Sequence, residues 1–330
     1  MKNKLIILTL VMTSMFLQGC YVIKQGMGQF KLQFSQVPLE EAIENEPNGE
    51  YRKLLAAVPA IKQFAVEQLC LKSNKNYTSY YATQDTGVSF VVTAAPKTKL
   101  EPYTWWFPII GSVPYKGFFD EAEALELEQD LTSRGYDTYR FAAPAYSTLG
   151  WFKDPITTPM LKRGYFALAS TIIHEMVHTT KYIEGQGDFN EQLASFIEYK
   201  GARSYFEQNN LLDGKQLQDI ESSRQNRIQL LNLIQTYLKN LDELYKSTAD
   251  EAVILEKRED VFARLSEEIV RLYPHNPKTN WRFNNARLLQ YKRYDEDSQL
   301  LNNIWEQSDG DWKKFWQLVE NYTVQQGWEG

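Results

Sequence analysis

The stretch TIIHEMVH, residues 171–178, decides the fold because it contains two of the three histidines in the protein. In a helix with 3.6 residues per turn, His174 and His178 lie one turn apart on the same face, so one ring nitrogen of each can bind a single metal ion. Glu175 lies about 100° around this helix, where its carboxylate can reach an activated water without taking a ligand position. The spacing therefore predicts a metal-binding helix with a general base for hydrolysis beside it.

The sequence around this stretch favours a buried helix. A broad apolar stripe, uninterrupted by proline or glycine, consists of Phe166, Leu168, Ile172, Ile173, Met176 and Val177. The competing interpretation is a core helix whose histidines bond only to the backbone. Because histidine is so scarce in this chain, a chance pair around a glutamate is the weaker of the two interpretations.

A third metal ligand is expected from the segment after the metal helix. Residues 188–198 predict a second helix, which Asp188 or Asn190 can cap and whose first turn contains Glu191. Zinc sites with two histidines can take a carboxylate as third ligand and keep water in the fourth position, so Glu191 is the candidate. Glu198, two turns further along the same face, is either the alternative ligand or a residue that orients a histidine. The competing interpretation of Glu191 is an acid favoured by the helix dipole.

The N-terminal residues predict export and lipidation. Lys2 and Lys4 precede an apolar run, residues 5–17, that is too short to span a bilayer stably, and the sequence LQGC then ends at Cys20. We expect residues 1–19 to be a lipoprotein signal peptide, with the mature chain anchored to a membrane through acyl groups on Cys20. An ordinary secretory signal is the alternative.

Charge and cysteine content limit which partners and which cellular location we expect for the protein. The formal net charge is −6, and loss of Lys2 and Lys4 with the signal peptide lowers it to −8. Nothing resembles a basic stripe interleaved with aromatic residues, so nucleic acid is not an expected partner. Cys70 has no intrachain partner once Cys20 is acylated, which predicts a free thiol. Tyr21 after the lipidated cysteine favours the periplasmic side of the outer membrane of a bacterial cell envelope.

The predicted fold class is α+β and mostly helical, with a small β-sheet beside the metal helix. Helical periodicity covers about residues 51–71. Two runs rich in aromatic and β-branched residues, 77–82 and 88–94, are separated by a turn signal and predict a β-hairpin.

The middle of the N-terminal half mixes a loop, a helix and a strand. Residues 101–117 are aromatic and contain three prolines, so they predict a loop that either covers the core or lines a substrate cleft. Asp120 is expected to cap a helix that runs to about Ser133, and residues 137–142 predict a strand. Residues 138–148 are a candidate edge for pairing with an extended peptide.

The C-terminal half predicts a helical hairpin, residues 211–273, with a break near Ser247. The apolar stripe of its second helix is expected to be Val253, Leu255, Val261, Phe262, Leu265, Ile269 and Leu272. Packing of the two helices on each other is favoured over a partner-binding coiled coil. His275 follows in a loop and is expected to be exposed, and a final helical region completes the chain.

Several stretches together resemble the predicted aminopeptidase family of bacterial lipoproteins, a gluzincin-like group. They are the lipobox ending at Cys20, VPYKGFF at 113–119, YSTLGWF at 146–152 ahead of Asp154, HEMVH at 174–178, FNE at 189–191 and NNARL at 284–288. The resemblance covers nearly the whole mature chain. It implies a zincin-like, zinc-dependent peptidase, and aminopeptidase activity in particular.

The resemblance also implies the roles of individual residues. One zinc ion would be bound by His174, His178 and Glu191, with Glu175 as catalytic acid and base. Peptidases of this type often use a tyrosine from outside the metal helices to donate a hydrogen bond to the oxyanion, and Tyr146 and Tyr294 are the candidates. Core packing is the competing interpretation for both tyrosines.

We expect a single zinc peptidase domain, residues 20–330. Its parts are an N-terminal α+β part at 20–160, the metal-binding helices at 161–205 and C-terminal helices at 206–330. The expected partners are a peptide substrate and the membrane, and the sequence carries no signal for an oligomeric state. Two alternatives stay open: a zinc-binding envelope lipoprotein that acts in assembly or as a chaperone, and an endopeptidase or peptidoglycan amide hydrolase.

Overall fold

Helices dominate the chain, of which the computed structural model describes residue 21 and residues 24–107, 111–143, 153–273, 281–291 and 299–328. The predicted class, α+β and mostly helical, is confirmed. The strands in chain order are β1 (Val37–Pro38), β2 (Ser79–Tyr81), β3 (Ser89–Ala95), β4 (Trp105–Phe107), β5 (Gly111–Val113), β6 (Lys116–Phe118), β7 (Asp137–Ala143) and β8 (Ile156–Thr157). The helices are α1 (residues 24–34), α2 (Leu39–Asn45), α3 (Gly49–Glu67), α4 (Glu121–Ser133), α5 (Thr158–Leu161), α6 (Tyr165–Thr180), α7 (Gly187–Gln208), α8 (Gly214–Tyr245), α9 (Glu251–Leu272), α10 (Asn285–Leu288), α11 (Gln299–Gln307) and α12 (Trp312–Gln325).

The main hydrophobic core joins helices from both ends of the chain. It packs α3, α6, α7 and α12 together through fully buried side chains that include Leu55, Ile61, Leu168, Ile172, Phe206 and Phe315. Close packing of such side chains resists small displacements of the helices that carry them. The core therefore fixes α6, which contains HEMVH, beside α7.

A small sheet in the order β1-β2-β8 adds Tyr80 and Ile156 to the same core. Strand β2 runs antiparallel to β1 and parallel to β8. The Tyr80 hydroxyl lies 2.9 Å from the hydroxyl of Thr158, which opens α5 immediately before α6. This sheet thus contributes to the same core as α6.

A second sheet has the order β6-β3-β7, with both pairings antiparallel. Helix α4 packs on the face that carries Phe90 and Val92, and α10 packs on the opposite face, where Ala95 lies. The helix predicted from Asp120 and the strand predicted at 137–142 are confirmed as α4 and β7. Among the described residues β7 is an edge strand, while residues 144–148 of the candidate substrate edge lie outside them.

The predicted β-hairpin between residues 77–82 and 88–94 is wrong, because β2 and β3 belong to different sheets. Gly87, the last residue of the turn signal at 84–87 between the two runs, instead lies against the end of β7. A Cβ at this position would be 2.7 Å from the carbonyl oxygen of Ala143, so the contact needs glycine. The connection therefore carries the chain from one sheet to the other.

The aromatic segment 101–117 supplies strands β4, β5 and β6 rather than a simple loop. The ring of Tyr103 packs edge-on against Trp105 and Tyr136, at centroid distances of 4.9 and 5.2 Å. Both contacts belong to the core around β3, which favours the core-covering interpretation for this part of the segment. Residues 108–110 lie outside the described residues.

The predicted helical hairpin is confirmed as α8 and α9. Its apolar stripe was misassigned at the start of α9, where Val253 is exposed and Ile254 and Arg258 are buried instead. Within the described residues, none of the helices combines the length and the apolar character that a bilayer span requires. The single domain at 20–330 and the subdivisions proposed for it stay a prediction.

Candidate metal centre

Helix α6 presents the HEMVH residues on a firmly packed support. Ile172, Ile173, Met176 and Val177 are fully buried on one side of the helix. The side chains of His174 and His178 lie on another face and are only 17% and 19% exposed. Both imidazoles are therefore held near the surface of the core, within reach of α7.

Asn190 determines how α7 begins beside α6. The helix starts at Gly187, so the predicted capping role of Asp188 or Asn190 is wrong, and Asn190 lies inside the first turn. Its buried amide accepts a hydrogen bond from the Ile183 backbone N–H at 2.9 Å and donates one to the Ile183 carbonyl at 2.8 Å. Ile183 is the buried residue of the connecting loop, so its backbone groups need a partner inside the protein. Asn190 provides that partner, and the next residue, Glu191, lies opposite the two histidines.

Three side chains converge on one point between α6 and α7. The two Nε2 atoms of His174 and His178 are 3.1 Å apart. Glu191 places one carboxylate oxygen 3.6 Å from Nε2 of His174 and the other 3.4 Å from Nε2 of His178. A tetrahedral zinc ion holds its nitrogen and oxygen ligands about 3.3–3.4 Å from one another. The spacing therefore matches three corners of such a site.

The chemistry of the donor set also fits a cation. Two imidazole nitrogens at 3.1 Å repel each other through their lone pairs unless a proton or a metal ion lies between them. Within the described ranges, His174, His178 and Glu191 form the one group of histidine, cysteine and acidic side chains close enough to bind an ion together. Cys70 is a free, exposed thiol, as predicted, and does not belong to the group.

Glu198 contacts the other ring nitrogen of His174. Its carboxylate lies 2.5 Å from Nδ1, two turns further along the same face of α7 than Glu191. An ionised carboxylate only accepts hydrogen bonds, so it favours the imidazole tautomer with the proton on Nδ1 and the Nε2 lone pair free. Of the two roles expected for Glu198, the geometry matches the residue that orients a histidine. Nδ1 of His178, in contrast, is buried and has no partner among the described residues.

The electrostatics of the group follow from these contacts. Burial lowers the pKa of His174, but its interactions with Glu191 and Glu198 outweigh burial and raise that pKa to about 10. Burial raises the pKa of Glu191, but the two histidines dominate and hold the pKa of this carboxyl far below its usual range. A metal ion binding here would thus replace a proton on His174 and meet a carboxylate that is already ionised.

Glu175 occupies the predicted position next to His174 on α6 and is half-buried. Nearby lies Tyr77, which is 1% exposed and has a left-handed backbone conformation with φ of 61°. Burial raises the pKa of Tyr77 well above its usual value, and the carboxylates of Glu175 and Asp154 raise it further. We did not predict a place for Tyr77 near the site, because its sequence context indicated only the first residue of a strand.

A few residues before Tyr77, residues 72–74 are hydrogen-bonded to the C-terminal end of α6. The Lys72 backbone N–H donates to Thr180 Oγ1 at 2.9 Å, and the Asn74 amide donates to Thr179 Oγ1 at 3.0 Å. Both threonines directly follow His178, so the contacts hold α6 at its C-terminal end. The sequence gives no local signal for them because the partners are more than a hundred residues apart.

The other predicted site residues, Cys20, Tyr146 and Tyr294, lie outside the described residues, as does His275, which was expected to be exposed. The structure therefore brings together His174, His178 and Glu191, with Glu175 and Glu198 adjacent to them. The lipidation site and the oxyanion candidates stay predictions.

Comparison with known proteins assigns the chain to a family. The model of one protein family, described as "Putative aminopeptidase", matches residues 20–327, a range that contains every member of the metal-binding group. No curated protein and no solved structure matches the chain. Because the match spans nearly the whole sequence, the chain belongs to the Putative aminopeptidase family.

Proposed function

We propose that this chain is a zinc-dependent peptidase of the bacterial cell envelope, with a zincin-like site and a lipid anchor at Cys20. The observation that carries the proposal is the convergence of His174, His178 and Glu191 at tetrahedral spacing. Membership of the Putative aminopeptidase family supports an aminopeptidase as the class of enzyme. The reaction is then hydrolysis of a peptide bond.

Zinc is the metal that this donor set suits best. Two imidazoles and one carboxylate are a common ligand set of catalytic zinc, whereas magnesium and calcium prefer oxygen ligands alone. When bound, zinc would polarise the scissile carbonyl and lower the pKa of a water molecule toward 7. His174, His178 and Glu191 are the three ligands in the proposal.

The remaining roles belong to side chains around the ligands. Glu175 accepts the proton of the attacking water and delivers it to the leaving amine. Glu198 keeps the Nδ1 proton of His174 in place and directs the Nε2 lone pair toward the metal position. Tyr146 and Tyr294 remain the candidates for the hydrogen bond to the oxyanion.

Substitution of the general base tests the proposal. Glu175→Gln keeps the size of the side chain but cannot accept the proton, so we expect zinc content to stay at one ion per chain while turnover falls about a hundredfold to ten thousandfold. Glu184→Gln, an exposed glutamate in the loop between α6 and α7, is the matched control and should keep full activity. Zinc is measured by mass spectrometry and turnover with a peptide library. Undiminished hydrolysis by Glu175→Gln would refute the assignment.

The same library separates the kinds of peptidase. An aminopeptidase releases residues only from peptides with a free N-terminus, whereas an endopeptidase also cleaves peptides with both ends blocked. If the zinc-loaded wild-type chain cleaves no peptide but hydrolyses peptidoglycan amide bonds, the substrate class in the proposal is wrong. If it cleaves neither, the binding or chaperone alternative takes its place.

A further inference from the structure

Helix α1, residues 24–34, lies against the end of β6 and against α4. Just ahead of it, the Tyr21 hydroxyl donates to the Gly117 carbonyl at 2.6 Å, and on the helix the Gln25 side chain accepts a hydrogen bond from the Phe119 N–H at 3.3 Å. A Cβ at Gly28 would lie 2.3 Å from the ring of Phe119, so glycine permits a very close approach. One face of α1 is thus pressed onto the body of the protein.

The inner side of α1 mixes apolar and polar side chains. Leu32 is buried there at 4% exposure, and amide atoms of Gln29 and Gln33 are buried without a hydrogen-bond partner among the described residues. On the outer side, Met27, Phe30 and Phe34 are 66%, 61% and 84% exposed. Helices of water-soluble proteins normally bury the apolar face and expose the polar one. The outer face therefore has the composition of a surface that something else covers.

The exposed apolar side chains form one continuous patch. With about 100° per residue, positions 27, 30 and 34 fall within about 60° of one another, roughly opposite Gln25 and Gln29. The rings of Phe30 and Phe34 stack with centroids 6.2 Å apart. We call Met27, Phe30 and Phe34 the outer face of α1.

The position of α1 in the chain indicates what covers this face. The helix begins four residues after Cys20, the proposed lipidation site. An acyl anchor at that point would hold α1 within a few residues of the bilayer surface. A partner protein would have to reach the face in this narrow space.

The charge of the segment around α1 also favours a membrane surface. Residues 21–36 contain two lysines, Lys24 and Lys31, and no acidic residue, although the whole chain carries a formal net charge of −6. Both lysines are exposed, and Lys24 also pairs with Glu123 of α4. The two lysines share a cleft with Asp85, Asp120, Glu121 and Glu123, so it is the charge of the segment itself, and not of its surroundings, that is complementary to the negative surface of a membrane with anionic lipids.

We propose that the outer face of α1 lies in the interfacial layer of an anionic lipid bilayer and holds the body of the protein flat against the membrane. Phe30, Phe34 and Met27 enter the layer between headgroups and acyl chains, while Lys24 and Lys31 lie at the level of the headgroups. The inference rests on the envelope location in the proposed function, but it is independent of the zinc chemistry. It adds a second contact with the membrane besides the acyl anchor.

Vesicle binding without the acyl anchor tests this inference. The mature chain, residues 20–330, with Cys20→Ser is mixed with vesicles of phosphatidylglycerol and phosphatidylethanolamine and sedimented. We expect it to bind, and we expect the triple variant Met27→Gln, Phe30→Gln and Phe34→Gln to partition at least about tenfold less strongly, because it loses three buried apolar side chains. The matched control replaces three exposed apolar residues elsewhere, Leu211, Val253 and Val270, with glutamine and should bind within about twofold of the parent.

A spin label gives a measurement that does not depend on partition. In the Cys20→Ser, Cys70→Ser chain, a nitroxide at Phe34→Cys should become accessible to oxygen and protected from a nickel chelate when vesicles are added. A label at Lys53→Cys, on the exposed side of α3, should stay accessible to the chelate.

Three outcomes would overturn the inference. Equal binding of the two triple variants, or a label at position 34 that remains in water, would show that the outer face does not enter the bilayer. If light scattering shows that the parent chain is a dimer and the outer-face variant is a monomer, a second copy of the chain covers the face. Zinc content and peptide hydrolysis are measured on the same variants in solution, where both should be unchanged. If the parent chain binds no zinc and hydrolyses no peptide, that result counts against the proposed function and not against the membrane contact.

Discussion

At the scale of single residues, His174 is held by carboxylates on both ring nitrogens. Nε2 faces Glu191 at 3.6 Å, and Nδ1 contacts Glu198 at 2.5 Å. The two glutamates are seven residues apart on α7, so both project from the same face of that helix. One carboxylate can therefore bind a metal while the other fixes the tautomer of the ligand.

Removal of the orienting carboxylate should weaken zinc binding without removing a ligand. For Glu198→Ala we expect zinc affinity about 10–100-fold lower than that of the wild type, because the imidazole loses the partner that fixes its orientation. Glu207→Ala, which removes an exposed carboxylate of the same helix paired with Arg203, is the control and should leave the affinity unchanged. Competition with a chromophoric chelator measures both. Equal affinities in the two variants would contradict the orienting role.

Sequence spacing was sufficient to identify the candidates for these positions. The i, i+4 histidines and the first-turn glutamate follow from helical geometry alone. Spacing favoured Glu191 and left Glu198 as the alternative, because both lie on one face, and only the packing of α6 on α7 shows which one meets the Nε2 atoms. Nor could it reveal Tyr77, whose place near Glu175 depends on contacts between distant segments.

At the scale of elements, the loop between α6 and α7 determines the register of the two helices. Asn190, 1% exposed, closes this loop by bonding to both backbone groups of Ile183. Glu191 is the next residue, so its position opposite the histidines depends on that closure. A buried amide in this loop thus adds to the core packing that places Glu191 beside the histidines.

Loss of this amide should affect stability and zinc binding together. For Asn190→Ala we expect unfolding free energy to fall by about 1–3 kcal/mol, since two buried backbone groups of Ile183 lose their partner, and zinc affinity to fall as well. Asn45→Ala, which removes an exposed amide bonded to the Glu41 carbonyl, should change stability by less than about 0.5 kcal/mol. Denaturant unfolding and chelator competition provide the two measurements. A destabilised variant with unchanged zinc affinity would show that Glu191 does not depend on the loop.

The strands show where local patterns fail as predictors. Residues 77–82 and 88–94 have strand composition, and both contain strands, but their neighbours along the chain are not their partners in space. β2 pairs with residues 37–38 and 156–157, and β3 pairs with β6 and β7. Composition predicts that a strand exists, whereas pairing depends on which buried surfaces meet.

At the scale of the whole molecule, a buried ion pair connects the C-terminal hairpin to the sheet of β3, β6 and β7. The Arg258 guanidinium on α9 donates to the Asp137 carboxylate at the start of β7, and their side chains are only 3% and 8% exposed. The same carboxylate accepts the Asn285 backbone N–H at 3.0 Å, and Arg258 reaches the Tyr245 hydroxyl at 3.3 Å. Three distant parts of the chain therefore meet at one polar network.

Removal of one partner of this ion pair should lower the stability of the protein. For Arg258→Met we expect unfolding free energy to fall by about 3–5 kcal/mol, because the Asp137 charge stays buried without its partner. Arg258→Met combined with Asp137→Leu should recover much of that loss, since no charge is then left buried. Lys246→Met, which breaks an exposed pair with Asp242, should cost less than about 1 kcal/mol. Thermal unfolding measures all three, and a double variant less stable than Arg258→Met would contradict the explanation.

This network also explains the part of the hairpin that hydrophobic periodicity missed. The predicted stripe placed Val253 and Leu255 inside, but the buried line runs through Ile254, Arg258 and Phe262. Arg258 interrupts the apolar pattern of the buried face. Its partner, Asp137, is 121 residues away in the sequence, so periodicity alone does not identify this face as buried. The class of fold and the helical hairpin were predictable from periodicity, whereas contacts between distant segments were not.

The central claim, a zinc ion bound between α6 and α7, is tested most directly by anomalous diffraction at the zinc edge from crystals of the zinc-loaded protein. We predict one strong peak within about 2.0–2.2 Å of His174 Nε2, His178 Nε2 and a Glu191 oxygen, with no fourth protein ligand. A peak at any other position, or one closed off by a fourth protein side chain, would contradict the account.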